Sequence, residues 1–276
     1  MKGFLKFILV MIVLTMVFLI WLFKRDADGV PILSYHQVND IDHNEFTLSP
    51  EEFDAQMKYL VDNGYTFMQP DELLDAWDNQ TPLPAKPVVV TFGGGRLDFY
   101  KTAFPILQKY NVKATLFVVT DFISLYPSYI TWAQAREMQE SGLVDIESNT
   151  LNHGNLADML SNQDIRNQLI NSKQAVEWHM KKPANYLSYP GGMYTREVEQ
   201  ITHDAGYRAA FTIDYGVAHQ GHYVLPLIPI DGGKSHTLLR FKARLHCAPI
   251  IAPLNRLKNS MYHDGNGAIA QYIWIP

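Results

Sequence analysis

The run Val88-Val89-Val90-Thr91-Phe92-Gly93-Gly94-Gly95-Arg96-Leu97-Asp98-Phe99-Tyr100 constrains the fold of this 276-residue chain more than any other segment. Its β-branched residues show no polar alternation, which describes a strand buried on both faces. Three glycines then permit a tight turn, and an amphipathic stretch reads as a helix around Phe99 to Tyr110. The same order recurs along the chain. Val30 to His36, Ala114 to Val119, Leu143 to Ser148, Tyr186 to Tyr189 and Ala209 to Thr212 read as strands. Ser49 caps a helix that opens with Pro50, carries Glu52 for a capping box and ends at Asn63-Gly64. A second helix opens at Pro70, and others are expected over Thr131 to Ser141, Ser161 to His179 and Thr195 to Ala205. Strands alternating with helices predict an α/β fold, a parallel sheet or barrel with its helices outside. From about Pro226 onward no regular pattern can be assigned.

The N-terminus stands apart. From Phe7 to Phe23 the chain carries no charge. At about 1.5 Å per helical residue, this run nearly crosses a hydrocarbon core of about 30 Å. We therefore expect an uncleaved membrane anchor and short linker over 1–28, followed by one domain over 29–276. A cleaved signal peptide is the rival reading, because Lys2 and Lys6 precede the apolar run. It fits less well, since no small-x-small cleavage site precedes Lys24-Arg25. The formal charge of −5 and the lack of a basic stripe argue against nucleic acid as a partner. The single cysteine, Cys247, excludes internal disulfides and thiolate zinc clusters, and it reads as a small packing residue.

Five segments, in order, resemble the motifs of the polysaccharide deacetylases (carbohydrate esterase family 4, the NodB-like domain). Leu33-Ser34-Tyr35-His36-Gln37-Val38 is similar to that family's opening strand, and Thr91-Phe92-Gly93-Gly94-Gly95 to its Thr-Phe-Asp-Asp-Gly turn. Ala114-Thr115-Leu116-Phe117-Val118 resembles its Ala-Thr-Phe-Phe-Val strand, and Glu147 through His153 its Ser-His-Thr-x-x-His motif. Ser188-Tyr189-Pro190-Gly191-Gly192 resembles its Tyr-Pro-x-Gly motif, and the segment Gly206-Tyr207 extends the likeness. The resemblance spans about Ile32 to Ile230. It implies a distorted (β/α) barrel outside the cytoplasm that removes acetyl groups from N-acetylhexosamine units of a glycan, with zinc or another divalent metal as cofactor.

Such amide hydrolysis needs a metal with an open position to generate hydroxide, and a carboxylate to take the proton. Carried across by resemblance, the base falls on Gly93, a metal aspartate on Gly94 and the first metal histidine on Asn149; only His153 survives as a remnant ligand. Losing a base alone removes about 10²–10⁴ in rate. We expect no tightly bound metal, and activity that is absent or severely impaired. Tyr35, His36, Tyr189, Pro190 and Gly192 are the expected substrate-binding residues. For Tyr35 and Tyr189, strand-end packing remains an equal alternative. The expected partner is an N-acetylated glycan or envelope polysaccharide.

Other readings stay open. An active deacetylase with unorthodox ligands would draw on Asp145 and Glu147, which share strand parity with Asn149, or on the loop pair His219 and His222. Asp98 suits a helix-start carboxylate bonded to backbone amides. The glycine turn with Arg96 could hold a small anion, though it lacks a nucleotide-binding pattern. His246 weakly matches the family's late Leu-x-His element, and Leu227 stands where a basic residue is expected. A structural or partner-binding barrel without glycan affinity is the third reading.

Overall fold

The computed structural model describes residues 29–232 and 237–263, together with scattered helical positions between 6 and 17. The expected anchor over 7–23 and its linker lie mostly outside the described residues. Among the described residues no helix is long and apolar enough to cross a membrane.

Strand β1 (Ile32–Tyr35) is followed by a parallel two-stranded pair, β2 (Gln37–Val38) and β3 (Thr47–Leu48). Helix α1 (Pro50–Asp62) starts on the expected capping box: Glu52 N donates to Ser49 Oγ at 3.2 Å, and Ser49 N donates to Glu52 Oε2 at 2.9 Å. Strand β4 (Thr66–Phe67), helix α2 (Pro70–Asp78) and strand β5 (Pro87–Gly94) come next. After β5 the chain makes a π-helical turn, Phe99–Ala103, before helix α3 (Phe104–Tyr110).

Strand β6 (Ala114–Val118), helix α4 (Trp132–Glu140), strand β7 (Val144–Ser148) and helix α5 (Asn162–Met180) continue the alternation. Strand β8 (Tyr186–Ser188), helix α6 (Arg196–Asp204), strand β9 (Ala209–Tyr215), strand β10 (Leu225–Pro229) and helix α7 (Thr237–His263) complete it.

All the pairings of the large sheet are parallel, in the order β1-β10-β9-β8-β7-β6-β5-β4. Strand β1 also pairs with β5, so the ladder returns to its first strand. A parallel arrangement with helices between successive strands buries both faces, and β1, β5 and β6 are accordingly buried along nearly all their length and mostly apolar.

The core on one side of β5 is aromatic. Phe92 stacks on Tyr35 with ring centroids 5.2 Å apart and meets Phe99 edge-on at 4.6 Å, while Phe53 of α1 closes the cluster at 5.5 Å. Edge-on and offset aromatic pairs add about 0.5–1.5 kcal/mol each beyond area burial. This cluster ties α1 and the π turn to the end of β5.

Two elements of the C-terminal part follow no local signal. Strand β10 contains Pro226 and Pro229, and its register with β9 shifts between Pro226 and Leu227. Helix α7 continues through Pro249 and Pro253, residues that ordinarily end a helix.

Candidate functional site

A cavity of about 550 Å³ opens at the C-terminal ends of the strands, within the range of small-ligand sites. Successive strands each contribute to its wall: Ser34 of β1 and His36 just after it, Gly93 and Gly94 of β5, Val119 after β6, Asn149 after β7, Ile213 of β9 and Leu227 of β10. Parallel α/β folds place chemistry at this end because the connecting loops converge there.

Of the expected substrate-binding residues, His36 and Tyr189 line this cavity, and so does the remnant His153. Tyr35 does not. Its ring is fully buried against Phe53 and Phe92, and its hydroxyl donates to Gln56 Oε1 at 2.9 Å. A strand covered on both faces leaves alternate residues of β1 pointing into the helical layer, and this parity sends Tyr35 there while its neighbours Ser34 and His36 reach the cavity.

Tyr189 contributes to the wall, although its ring stacks on Tyr194 at 5.5 Å and its hydroxyl donates to Thr202 Oγ1 at 3.4 Å. Pro190 and Gly192 belong to a short turn beside the wall, where Gly191 alone of the three faces the cavity. A side chain at Gly192 would lie 2.4 Å from the backbone nitrogen of Ile213, so glycine there serves close packing on β9.

The glycine turn has a definite shape. Gly93 continues β5, opposite Phe117, and a Cβ built on it would sit 3.7 Å from the His36 ring. Gly94 has φ +98°, in the region that favours glycine, and a Cβ there would meet Arg96 Cγ at 3.8 Å. The two positions matched to the family's carboxylates are therefore bordered by an imidazole and by the stem of an arginine. Asn149 has its amide committed as well, donating from Nδ2 to Ser188 O at 2.7 Å.

Burial lowers the pKa of both His36 and His153, and for His36 the neighbouring His153 adds to the effect while Asp231 opposes it. Both rings are thus held toward the neutral form. Among the described residues no group of three or more His, Cys, Asp or Glu side chains could hold a metal ion. His153, a committed amide and two glycines do not fit a catalytic divalent ion, which ordinarily takes three protein ligands.

Among the described residues lining this cavity, Arg96 is the one lysine or arginine. In the Gln37 amide orientation that satisfies both of its neighbours, Gln37 accepts from Arg96 Nε at 3.0 Å and Nη2 at 2.9 Å and donates to Thr47 Oγ1. On its other side the guanidinium lies 5.4 Å from the Tyr129 ring centroid. Arg96, Gln37 and Tyr129 all line the cavity, and Phe46 and Phe122 add aromatic wall. Nothing in the sequence marks Gln37, Phe46, Phe122 or Tyr129 for this place. They sit in a short side strand and two loops that carry no periodic signal of convergence.

The alternative ligands go elsewhere. Asp145 and Glu147 both bind Lys182, at 2.7 and 2.5 Å, and neither lines the cavity. Asp98 Oδ2 accepts from Val38 N at 2.7 Å and from Asn39 Nδ2 at 3.0 Å, so it ties β2 to the turn and caps no helix of its own. His222 pairs with Asp78 at 3.1 Å, next to Arg208, which also binds Asp78. His246 Nε2 meets the Tyr59 hydroxyl at 3.0 Å between α7 and α1, away from the cavity. Cys247 is half-buried on α7. Leu227 is buried in the cavity wall as an apolar residue.

The family model described as polysaccharide deacetylase matches residues 80–210. The chain is 31% identical over 217 residues to YxkH of Bacillus subtilis, which is assigned by name to the polysaccharide deacetylases, covering 78% of this chain and 76% of that one. It is 25% identical to the poly-beta-1,6-N-acetyl-D-glucosamine N-deacetylase of Staphylococcus epidermidis, covering 79% and 84%. Among solved structures it resembles the Streptococcus pyogenes deacetylase PplD in complex with acetate, with a TM-score of 0.72 at 29% identity over 77% of this chain and 97% of that one. The Bacillus cereus polysaccharide deacetylase BC0361 superposes with a TM-score of 0.69 at 26% identity over 79% and 69%.

The Lys182 cluster generates a pH prediction. One ammonium serves two carboxylates, and complete burial pushes the deeper one, Glu147, up to about 8. A carboxyl raised in the folded state favours folding when protonated, so its contribution is fully present below its unfolded value near 4.5 and is lost as pH rises toward 8. The wild-type melting temperature is expected to fall between pH 5 and 8, and Glu147→Gln to flatten that slope. Thermal melts across this range check it, and parallel slopes in the two proteins would contradict it.

Proposed function

Because the chain belongs to the polysaccharide deacetylase family, we propose that it binds an N-acetylated glycan at this cavity without appreciable hydrolysis, as the extracytoplasmic domain of a membrane-anchored protein. The observation that carries the reading is the pair of glycines at the carboxylate positions, bordered by His36 and Arg96. With no carboxylate there to accept a proton and no ligand set for a divalent ion, the family reaction lacks both its base and its source of hydroxide. The glycan class is supported by relatives named for N-deacetylation of poly-beta-1,6-N-acetyl-D-glucosamine. The distorted barrel implied by the resemblance is supported by the strand ladder that returns to β1. An aromatic and apolar wall suits the faces of sugar rings, and it needs no metal to do so.

The wild-type protein titrated with N-acetylglucosamine oligomers is expected to bind them, with amide resonances around Asn149 and Tyr189 shifting, and to release no acetate above background. Acetate release with turnover would overturn the reading, and so would the absence of any shift, which would favour a partner-binding role.

Restoring the family residues probes the same point. Gly93→Asp meets only an ordinary contact with His36. Gly94→Asp is harder, because a side chain at that φ costs about 1–3 kcal/mol and would start beside the stem of Arg96, whose charge would compete for the new carboxylate. The triple variant Gly93→Asp, Gly94→Asp, Asn149→His should therefore gain acetate release of about 10²-fold or more over wild type once Arg96→Ala is added. Equal release with Arg96 retained would show that the guanidinium does not compete.

The anchor rests on the uncharged run from Phe7 to Phe23. In expressing cells the protein should resist carbonate extraction from membranes and be cut by protease added outside. Recovery in the soluble fraction would count against anchoring.

A further inference from the structure

We propose that the cavity selects a carboxylate-bearing sugar, bound through Arg96, so that its charge preference is opposite to that of a metal-binding deacetylase site. This rests on the glycan-binding reading above and specifies the charge of the sugar.

Three observations carry it. The first is the set of partners of Arg96. Gln37 engages Nε and one hydrogen of Nη2, the Tyr129 ring covers one face, and both partners are neutral. The remaining guanidinium N–H groups have no acceptor among the described residues. A guanidinium is always charged at physiological pH, so this charge is uncompensated where it lines the cavity.

The second is what surrounds it. Phe117, Phe122, Val119, Ile213 and Leu227 form an apolar wall. A charge set against such a wall interacts with a ligand charge more strongly than it would in bulk water. The third is position. The arginine stem passes within 3.8 Å of the place where a Gly94 side chain would start. The arginine thus leaves the chain beside the place where the family's negative group is expected, and among the described residues no carboxylate lines the cavity.

The consequences follow from charge alone. A divalent cation is repelled, and so is the ammonium of an N-deacetylated sugar unit. A carboxylate is attracted, and the guanidinium fork can grip it with two parallel hydrogen bonds. Asn44, His36 and His153, also on the wall, offer polar groups for ring hydroxyls. Arg96 is already oriented by Gln37 and Tyr129, so little side-chain freedom is lost when the ligand arrives.

The test uses the full chain in detergent and two probes of the same length: a galacturonate tetrasaccharide and its carboxyl-reduced, neutral counterpart. Calorimetric titration should show the carboxylate form binding about 10-fold or more tightly, the ratio expected when a charge-assisted bond replaces a neutral one. Arg96→Gln should bring the two probes to within about 2-fold of each other, and Arg96→Lys should keep part of the preference, since it retains charge but loses the fork.

Equal binding of the two probes by wild type would overturn the inference, as would a preference that survives Arg96→Gln. Acetate binding as tightly as the tetrasaccharide would overturn the sugar part of it. If neutral N-acetylglucosamine oligomers bind and the uronate shows no advantage, the inference fails while the glycan-binding reading stands. If no saccharide binds, both fail.

Discussion

Strand β5 is held on both sides, with Ile32 through Tyr35 of β1 against Val89 through Phe92, and Thr115 through Val118 of β6 against Thr91 through Gly94. Every feature of the cavity depends on this double pairing. It fixes the depth at which β5 ends, so that Gly93 faces His36 and Gly94 faces the Arg96 stem. A slip of one residue would turn Phe92 out of its cluster with Tyr35, Phe53 and Phe99 and would put the wrong parity on the cavity. Two flanking strands and three aromatic contacts make that slip costly. The site is therefore rigid where the sheet ends and variable only in what the turn carries.

What the turn carries decides the electrostatics. In the family the resemblance implies two carboxylates and a divalent ion in this space, a combination close to neutral. Here the carboxylates are replaced by glycine, the neighbouring imidazoles are held toward their neutral form, and one guanidinium remains. The fold needs no carboxylate for its own stability at this point, because Gly93 pairs in the ladder through its backbone. The backbone has also settled into a shape that suits glycine, as the φ of Gly94 shows. Binding geometry and catalytic chemistry are thus separable: the strands preserve the first while the side chains set the second.

Local signals in the sequence were legible wherever the physics is local. The capping box at Ser49 with Glu52 forms as its spacing requires, the helix expected from Thr131 starts there, and the β-branched runs are strands. The cavity's position at the end of β5 was implied by the resemblance of Thr91 through Gly95 to the family's Thr-Phe-Asp-Asp-Gly turn, while the strand and the turn themselves were readable from the residues. Long-range choices were not. Tyr35 is aromatic and near the site, but strand parity buries it, and no single strand reveals which face its partners will cover. Lys182 is separated by 35 residues from the Glu147 it neutralises in part, and nothing in either local sequence links them. Helix α7 contradicts the local rule outright, because it contains two prolines; tertiary packing of Phe241, Leu245 and Ala248 into the main core outweighs the broken hydrogen bonds. Gln37 and Tyr129 were invisible as partners of Arg96 because they come from separate segments that meet only when β1 and β5 pair.

The central claim is that the end of β5 presents a positive charge where its relatives are expected to hold a cation. A calorimetric titration of the wild-type protein with zinc at neutral pH measures this most directly. We predict no stoichiometric heat at micromolar protein, and no change on replacing His153 by alanine. A one-to-one site of submicromolar affinity that disappears with His153→Ala would contradict it.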